Sequence, residues 1–155
     1  MRKKRTYKKF YQPDIQYTNL AVGRFINYLM SKGEKSVAEK LLYKTFDNIK
    51  KETKQEPLPV FEKALENASP LIEVVSKRVG GANYQVPREV RPERKFFLAC
   101  HWIIDAARSG KGKPMADKLA TEIISASKNE SAAIKKKQNI HRMAEANRAF
   151  AHFAR

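Results

Sequence analysis

Reading from the amino terminus, helical periodicity begins after Thr18. Val22, Phe25, Ile26 and Leu29 recur at i, i+3, i+4 and i+7. Thr18 is the expected N-cap and Gly33 the expected stop. Ser36-Val-Ala-Glu39 has the form of a capping box. It predicts a second helix to about Lys51, with Val37, Leu41, Thr45 and Ile49 in line. Pro57 and Pro59 interrupt the chain, and a third helix places Phe61, Ala64, Leu65 and Ala68 on one face before Pro70 ends it. The runs LIEVVSKRV and YQVPREV then flank Gly80-Gly81-Ala82-Asn83, a hairpin signal whose glycines are free to take positive φ. Pro87 makes its strand an edge. Arg91-Pro-Glu-Arg-Lys opens a fourth helix with Phe96, Phe97, Cys100, Ile103, Ile104 and Ala107 as its apolar stripe. After the basic loop SGKGK, a fifth helix spans about Pro114–Ala126, with Ala116, Leu119, Ala120 and Ile123 inward. A sixth spans about Ala132–Phe150.

These elements define a mainly α fold: a single domain of about six helices, with one protruding two-stranded β-hairpin at about 71–90. Residues 1–17 are expected to form a basic extended N-terminal arm, and residues 18–155 the helical domain. An isolated two-stranded hairpin is marginal in water, so this one must pack on a helix or project and bind something. The length of 155 residues suits one core.

Charge changes the picture. Lys and Arg number 32 against 16 Asp and Glu, a formal net charge of +16. Such an excess calls for a polyanionic partner, nucleic acid or an anionic membrane. No segment approaches the roughly 20 apolar residues of a membrane span, and the basic N-terminus lacks the apolar stretch of a signal peptide. Residues 1–12 carry six cations and no acid, while residues 34–73 carry seven cations and eight acids. Residues 77–113 carry nine cations and three acids, and residues 128–155 seven and two. The neutral stretch reads as scaffold and the other three as contact surfaces. In the arm, Tyr7, Phe10, Tyr11 and Tyr17 interleave with the charges, placed either to pack on the domain or to stack on bases.

The most informative local signal is cationic charge where the helix dipole disfavours it. Arg91, Arg94 and Lys95 open the fourth helix, and Lys135, Lys136 and Lys137 open the sixth. Each cluster is either a solvated end or a phosphate contact, and the charge of the whole chain favours phosphate. Lys77 and Arg78, beside the Gly-Gly turn, either meet a nucleic-acid backbone or protect the strand edges from pairing. Catalysis has little support. His141 and His152 lie 11 residues apart, too far along one helix to share a metal, and no HExxH, GxSxG or P-loop pattern appears. Cys100, the single cysteine, falls on an apolar helix face and reads as core, and Trp102 reads as either core, the favoured reading, or a surface for stacking a base.

Several blocks resemble a known family. Phe25-Ile-Asn-Tyr-Leu-Met-Ser-Lys-Gly-Glu-Lys-Ser36, Phe61-Glu-Lys-Ala-Leu-Glu-Asn67, Lys77-Arg-Val-Gly-Gly-Ala-Asn-Tyr-Gln-Val-Pro87, Glu89-Val-Arg-Pro92 and His141-Arg-Met-Ala-Glu-Ala-Asn-Arg-Ala-Phe-Ala-His152 fall in the order seen in small-subunit ribosomal protein seven of the bacterial and organellar type. The resemblance covers nearly the whole chain from Pro13. It implies a non-enzymatic, cofactor-free constituent of the small ribosomal subunit, cytoplasmic, with no membrane partner and no homo-oligomer. It further implies binding to the 3′ major domain of small-subunit ribosomal RNA and nucleation of head assembly. The hairpin and C-terminal helix would face exit-site tRNA and messenger, and small-subunit proteins nine and eleven would be neighbours. Some members of the family repress translation of their own operon.

Carried onto this chain, the resemblance assigns ribosomal RNA to Arg2, Lys3, Lys4, Arg5, Lys8 and Lys9 in the arm, and to Lys32 and Lys35 in the loop after the first helix. It assigns the same partner to Lys77 and Arg78, to Arg91, Arg94 and Lys95, and to Arg108, Lys111, Lys113 and Lys136. Gly80, Gly81, Ala82, Asn83 and Tyr84 at the hairpin tip, with Arg142, Arg148 and His152, would approach tRNA and messenger. The chain departs from the family in having Lys77 where Arg is usual, in lacking a Gly in the loop Asn129-Glu-Ser-Ala-Ala, and in Lys137-Gln-Asn and its ending at Phe153-Ala-Arg155. A helical DNA-binding regulator is the first rival reading and would need one recognition helix and usually a dimer. A nuclease is the second, and would need a carboxylate or histidine cluster.

Overall fold

The computed structural model describes residues 10–154. The arm cations Arg2, Lys3, Lys4, Arg5, Lys8 and Lys9 therefore lie outside the described residues, as does Tyr7. The chain divides into two compact units, one ending at Lys40 and one beginning at Leu41.

In the first unit, α1 spans Leu20–Leu29 and buries Val22, Phe25, Ile26 and Leu29, the stripe expected from the periodicity. Its cap is Asn19, not Thr18. Asn19 Oδ1 accepts from the backbone N–H of Ala21 at 2.8 Å and of Val22 at 3.4 Å, while Thr18 sits at φ +48° just outside the helix. Asn caps better than Thr, and the extended backbone a cap requires is at Asn19. The segment before α1 crosses that helix closely at Gly23. A Cβ there would stand 2.6 Å from the carbonyl oxygen of Gln12, so only glycine fits. Asp14, nearly buried, holds the following turn by accepting from the N–H groups of Gln16 and Tyr17.

α2 spans Lys35–Thr53. The expected capping box does not form. The helix starts two residues earlier, with the Glu34 carbonyl accepting from Ala38, and Glu39 faces Lys35 at 3.8 Å. The expected stripe holds at Thr45 and Ile49, but its first half is off by one position, with Ala38 and Leu42 buried in place of Val37 and Leu41. Ala38, Leu42, Thr45, Phe46 and Ile49 are buried, whereas Val37 is 55% exposed. Thr45 is tolerated there because its hydroxyl donates to the Leu41 carbonyl at 2.8 Å.

In the second unit, α3 (Pro57–Ala68) begins with Pro57, whose missing N–H would be unpaired there in any case. It packs on α5 (Met115–Ser127) and on α4 (Pro92–Ser109). Phe46 and Phe61 meet edge to face at 5.5 Å, both fully buried. Burying each such ring is worth about 1.5–3 kcal/mol. Asn67 Nδ2 donates to the carbonyls of Ala126 and Ser127 in the last turn of α5, a second donor for the first and a partner for the second. The missing glycine after α5 is accounted for by Asn129, which takes the left-handed conformation at φ +64°. Asn129 N–H bonds Ala126 and Glu130 N–H bonds Ser125, a Schellman closure with asparagine in the glycine position.

The sixth helix is shorter than expected. α6 spans Ala132–Ala146, and the chain continues as a 3₁₀ helix over Arg148–Ala154. Asn147 makes the break. Its side-chain and backbone N–H groups both bond the Met143 carbonyl. The hairpin forms where predicted: β1 (Ile72–Val79) pairs antiparallel with β2 (Ala82–Glu89).

Candidate nucleic-acid interface

The hairpin turns on Gly80 and Gly81 at φ +58° and +90°, the two positive values a type I′ turn requires. This tight turn fixes the register, pairing Lys77 with Tyr84 and Arg78 with Asn83. Adjacent strand residues point to opposite faces, so Lys77 and Arg78 do not act as a pair. Lys77 and Tyr84 share one face, against which the 3₁₀ helix lies. Lys77 Nζ donates to the Phe153 carbonyl at 2.6 Å, and the Tyr84 ring meets Phe150 at 5.1 Å and Phe153 at 5.7 Å. Tyr84 is thus held by packing and is no part of the open tip. Gly80, Gly81, Ala82 and Asn83 are exposed, as is Arg78 on the other face.

At the hairpin base, Glu73 is buried at 8% exposure. Arg88 Nη2 reaches one of its oxygens at 2.9 Å and Arg94 Nε the other at 3.2 Å. Arg94 also lies 5.0 Å above the Phe97 ring. Neither Glu73 nor Arg88 stands out as functional in the sequence. The signal was present, however: a turn centred on Gly80-Gly81 places Arg88 directly across from Glu73, and a carboxylate inside an apolar strand needs a cationic partner.

Arg91 is the N-cap residue of α4 and makes no side-chain capping bond. It is exposed, Lys95 is half-buried, and among the described residues neither forms an ion pair. Lys111 and Lys113 are exposed in the loop after α4, and Arg108 lies in its last turn. With 18 residues, α4 is about 27 Å long, so these groups stand far from Arg91.

The cations that open α6 are used differently. Lys136 Nζ lies 3.9 Å from Asp105 and 6.0 Å from the centre of the Trp102 ring, which is buried. Lys137 Nζ donates at 2.7 Å to the Asn67 carbonyl in the last turn of α3, where cations are favoured. Burial pushes the Lys137 ammonium below its ordinary pKa. The helix end itself is satisfied from within, since Ser131 Oγ accepts from Ile134 and the Glu122 carboxylate accepts from Ala133. One turn on, His141 Nε2 accepts from the Leu71 N–H at 3.2 Å, so its Nδ1 carries the proton. Burial first and the charge of Lys137 second push the His141 pKa down.

Elsewhere, Lys32 is exposed at φ +54° and Lys35 faces Glu39. Arg142 and Arg148 are exposed, and His152 Nδ1 lies 2.9 Å from the Ala149 carbonyl. Cys100 is fully buried. Among the described residues no three metal-ligating side chains come together, and no helix is long and apolar enough to cross a membrane. The arrangement offers dispersed cations and an exposed hairpin tip, which suit binding along a phosphate backbone.

Comparison with known proteins bears on this geometry. The family model described as Ribosomal protein S7p/S5e matches residues 1–148. The chain is 51% identical over 153 residues to the small ribosomal subunit protein uS7 of Thermotoga maritima, with 99% of each chain covered. It is 52% identical over 153 residues, 98% of each chain, to uS7 of Francisella tularensis subsp. holarctica and likewise to that of subsp. novicida.

Proposed function

This chain belongs to the ribosomal protein S7p/S5e family, structural and non-enzymatic constituents of the small ribosomal subunit, and on that footing we propose that it is a primary binder of ribosomal RNA. Its target in this reading is the 3′ major domain, where it nucleates head assembly. Its hairpin tip and C-terminal segment border exit-site tRNA and messenger, with small-subunit proteins nine and eleven as neighbours. Repression of its own operon's messenger is the same binding chemistry turned on a second RNA.

The observation that supports the reading best is the distribution of cations that lack an internal carboxylate. Arg78 on the hairpin, Arg91 and Lys95 at one end of α4, and Lys111 and Lys113 beyond the other all fit this description among the described residues. Spread over more than the length of α4, they suit a folded RNA that wraps the protein better than one recognition helix in a groove. Phosphate contacts from these groups release counterions and supply most of the affinity, while the fit of the helical surface to a folded junction supplies selectivity.

The test is a salt-titrated binding assay against a 3′ major domain fragment and a scrambled RNA of equal length. Binding to the native fragment should persist at salt that dissociates the scrambled one. Equal, steeply salt-dependent affinities for both would reduce the protein to a generic polycation. Deleting residues 1–12 removes six cations and should lower the salt slope by roughly 4–5 if each meets a phosphate. An unchanged slope would remove the arm from the interface.

A further inference from the structure

We propose that the terminal 3₁₀ helix, Arg148–Ala154, is a strap that lies along β2 at Tyr84 and holds the exposed Lys77 ammonium in place of an RNA phosphate until it lifts. The contact has the chemistry of the ligand it would replace. Lys77 Nζ donates to the carbonyl of Phe153 in the last turn of a helix, where carbonyls lack helical partners and carry the negative end of the dipole. To an ammonium group such an oxygen resembles that of a phosphate. Beside it, the rings of Phe150 and Phe153 lie on Tyr84, the cross-strand partner of Lys77, and nearly parallel to each other at 12°. These tilted contacts take up the Tyr84 ring surface on which an unpaired base would otherwise stack.

The strap is built to be released. A seven-residue 3₁₀ helix has poor internal hydrogen-bond geometry and depends on its outside contacts. It is set off from α6 by the break at Asn147, and its Ala149, Ala151 and His152 are exposed. On the opposite hairpin face Arg78 and Asn83 are exposed near the tip, while Ile72, Pro87 and Glu89 at the base border a cavity shared with His141, Arg148 and Ala151. The Arg78 tip is therefore open to phosphate, and on the other face the exposed Lys77 ammonium is already engaged by a carbonyl that an RNA phosphate would have to displace. This second step rests on the RNA-binding reading, but the strap contact itself does not.

The experiment separates the two. In the full-length protein without RNA, acetylation of Lys77 by a limiting acylating reagent is followed by mass spectrometry, with exposed Lys111 as the internal reference. Lys77 should react several-fold more slowly than Lys111. It should approach Lys111 in the Phe150→Ala/Phe153→Ala variant, which leaves every charge in place. Truncation after Asn147 should release Lys77 equally, and covers the event that the double variant disturbs the fold. With a single-stranded homopolymeric RNA, the double variant should bind more tightly, with a salt slope steeper by about one, and adding Lys77→Gln should cancel both gains. Equal acetylation of Lys77 in native and released proteins would overturn the strap. Weaker RNA binding by the released variant would overturn the withholding role and make the 3₁₀ helix part of the RNA contact. Release of Lys77 with no RNA affinity in any variant would instead overturn the RNA reading, and the withholding step with it.

Discussion

Two helix starts in this protein carry the same sequence anomaly and resolve it in opposite ways. α4 and α6 each open with three cations at the positive end of the dipole. At α6 the protein supplies the compensation itself. Glu122 caps a backbone N–H, Asp105 faces Lys136, and Lys137 reaches across to a carbonyl in the last turn of α3. At α4 only Arg94 is taken up, by a carboxylate it shares with Arg88, while Arg91 and Lys95 are left to the outside. A misplaced cation therefore signals a missing anion without saying whether that anion is internal. What separates the cases is the neighbouring chain: α6 lies beside the end of α3 and within reach of the half-buried Glu122 and the exposed Asp105, and α4 follows directly from the hairpin.

The largest test of this contrast is the variant Arg91→Ala/Lys95→Ala. RNA affinity should fall by roughly tenfold or more near physiological salt, with a slope shallower by about two, and the melting temperature should hardly move. A large loss of stability with unchanged RNA binding would reverse the assignment. Lys137→Met should do the opposite. It leaves the Asn67 carbonyl without its charged donor and should lower stability by about 1 kcal/mol in chemical denaturation, with RNA affinity preserved.

Acidification sharpens the α6 side further. His141 is held neutral by accepting from Leu71, and its folded pKa lies below its unfolded value near 6.5. In that case the unfolded chain binds the extra proton first, so the contribution of His141 is complete above the unfolded pKa. It is lost as pH falls through that value toward the folded one. Stability measured from pH 7.5 to 5 should decline, and the decline should be shallower in His141→Gln. An identical pH profile in the variant would remove His141 from the account. The smallest effect belongs to Lys136→Gln. Both members of the Lys136–Asp105 pair are about half exposed, so the change should stay within about 0.5 kcal/mol. An RNA-affinity loss as large as that of the α4 variant would restore Lys136 to the interface.

Most of the architecture was legible because pattern and punctuation agreed. The stripes of α1, α3 and α5 and the Gly-Gly hairpin are local statements, each readable within about a dozen residues. The first half of the α2 stripe was not, because Val37 and Leu41 give an apolar start nearly as good as the true one through Ala38 and Leu42, and both series converge on Thr45 and Ile49. The end of α6 was missed because Asn147 is an ordinary helix residue until its amide folds back on Met143. For the interface, the sequence showed which residues are charged, while partner choice is tertiary. Glu73 absorbing Arg94, or Asn67 absorbing Lys137, joins positions 21 and 70 residues apart. Lys77 and Arg78 are the exception. Strand alternation alone separates them, and the turn that sets it was visible from the start.

That turn has a consequence for how the hairpin could be lengthened or shortened. Eight residues pair with eight, in register, around a two-residue reversal. Each paired step adds about 3.3 Å of reach but exchanges the two faces beyond the point of insertion. Only changes made two residues per strand at a time, steps of about 7 Å, keep each side chain toward its present surroundings. The hairpin is a ruler with coarse graduations. Relatives or engineered versions with longer or shorter arms should fall on those marks, and one made a half-step out would turn its Arg78-bearing side toward the C-terminal segment.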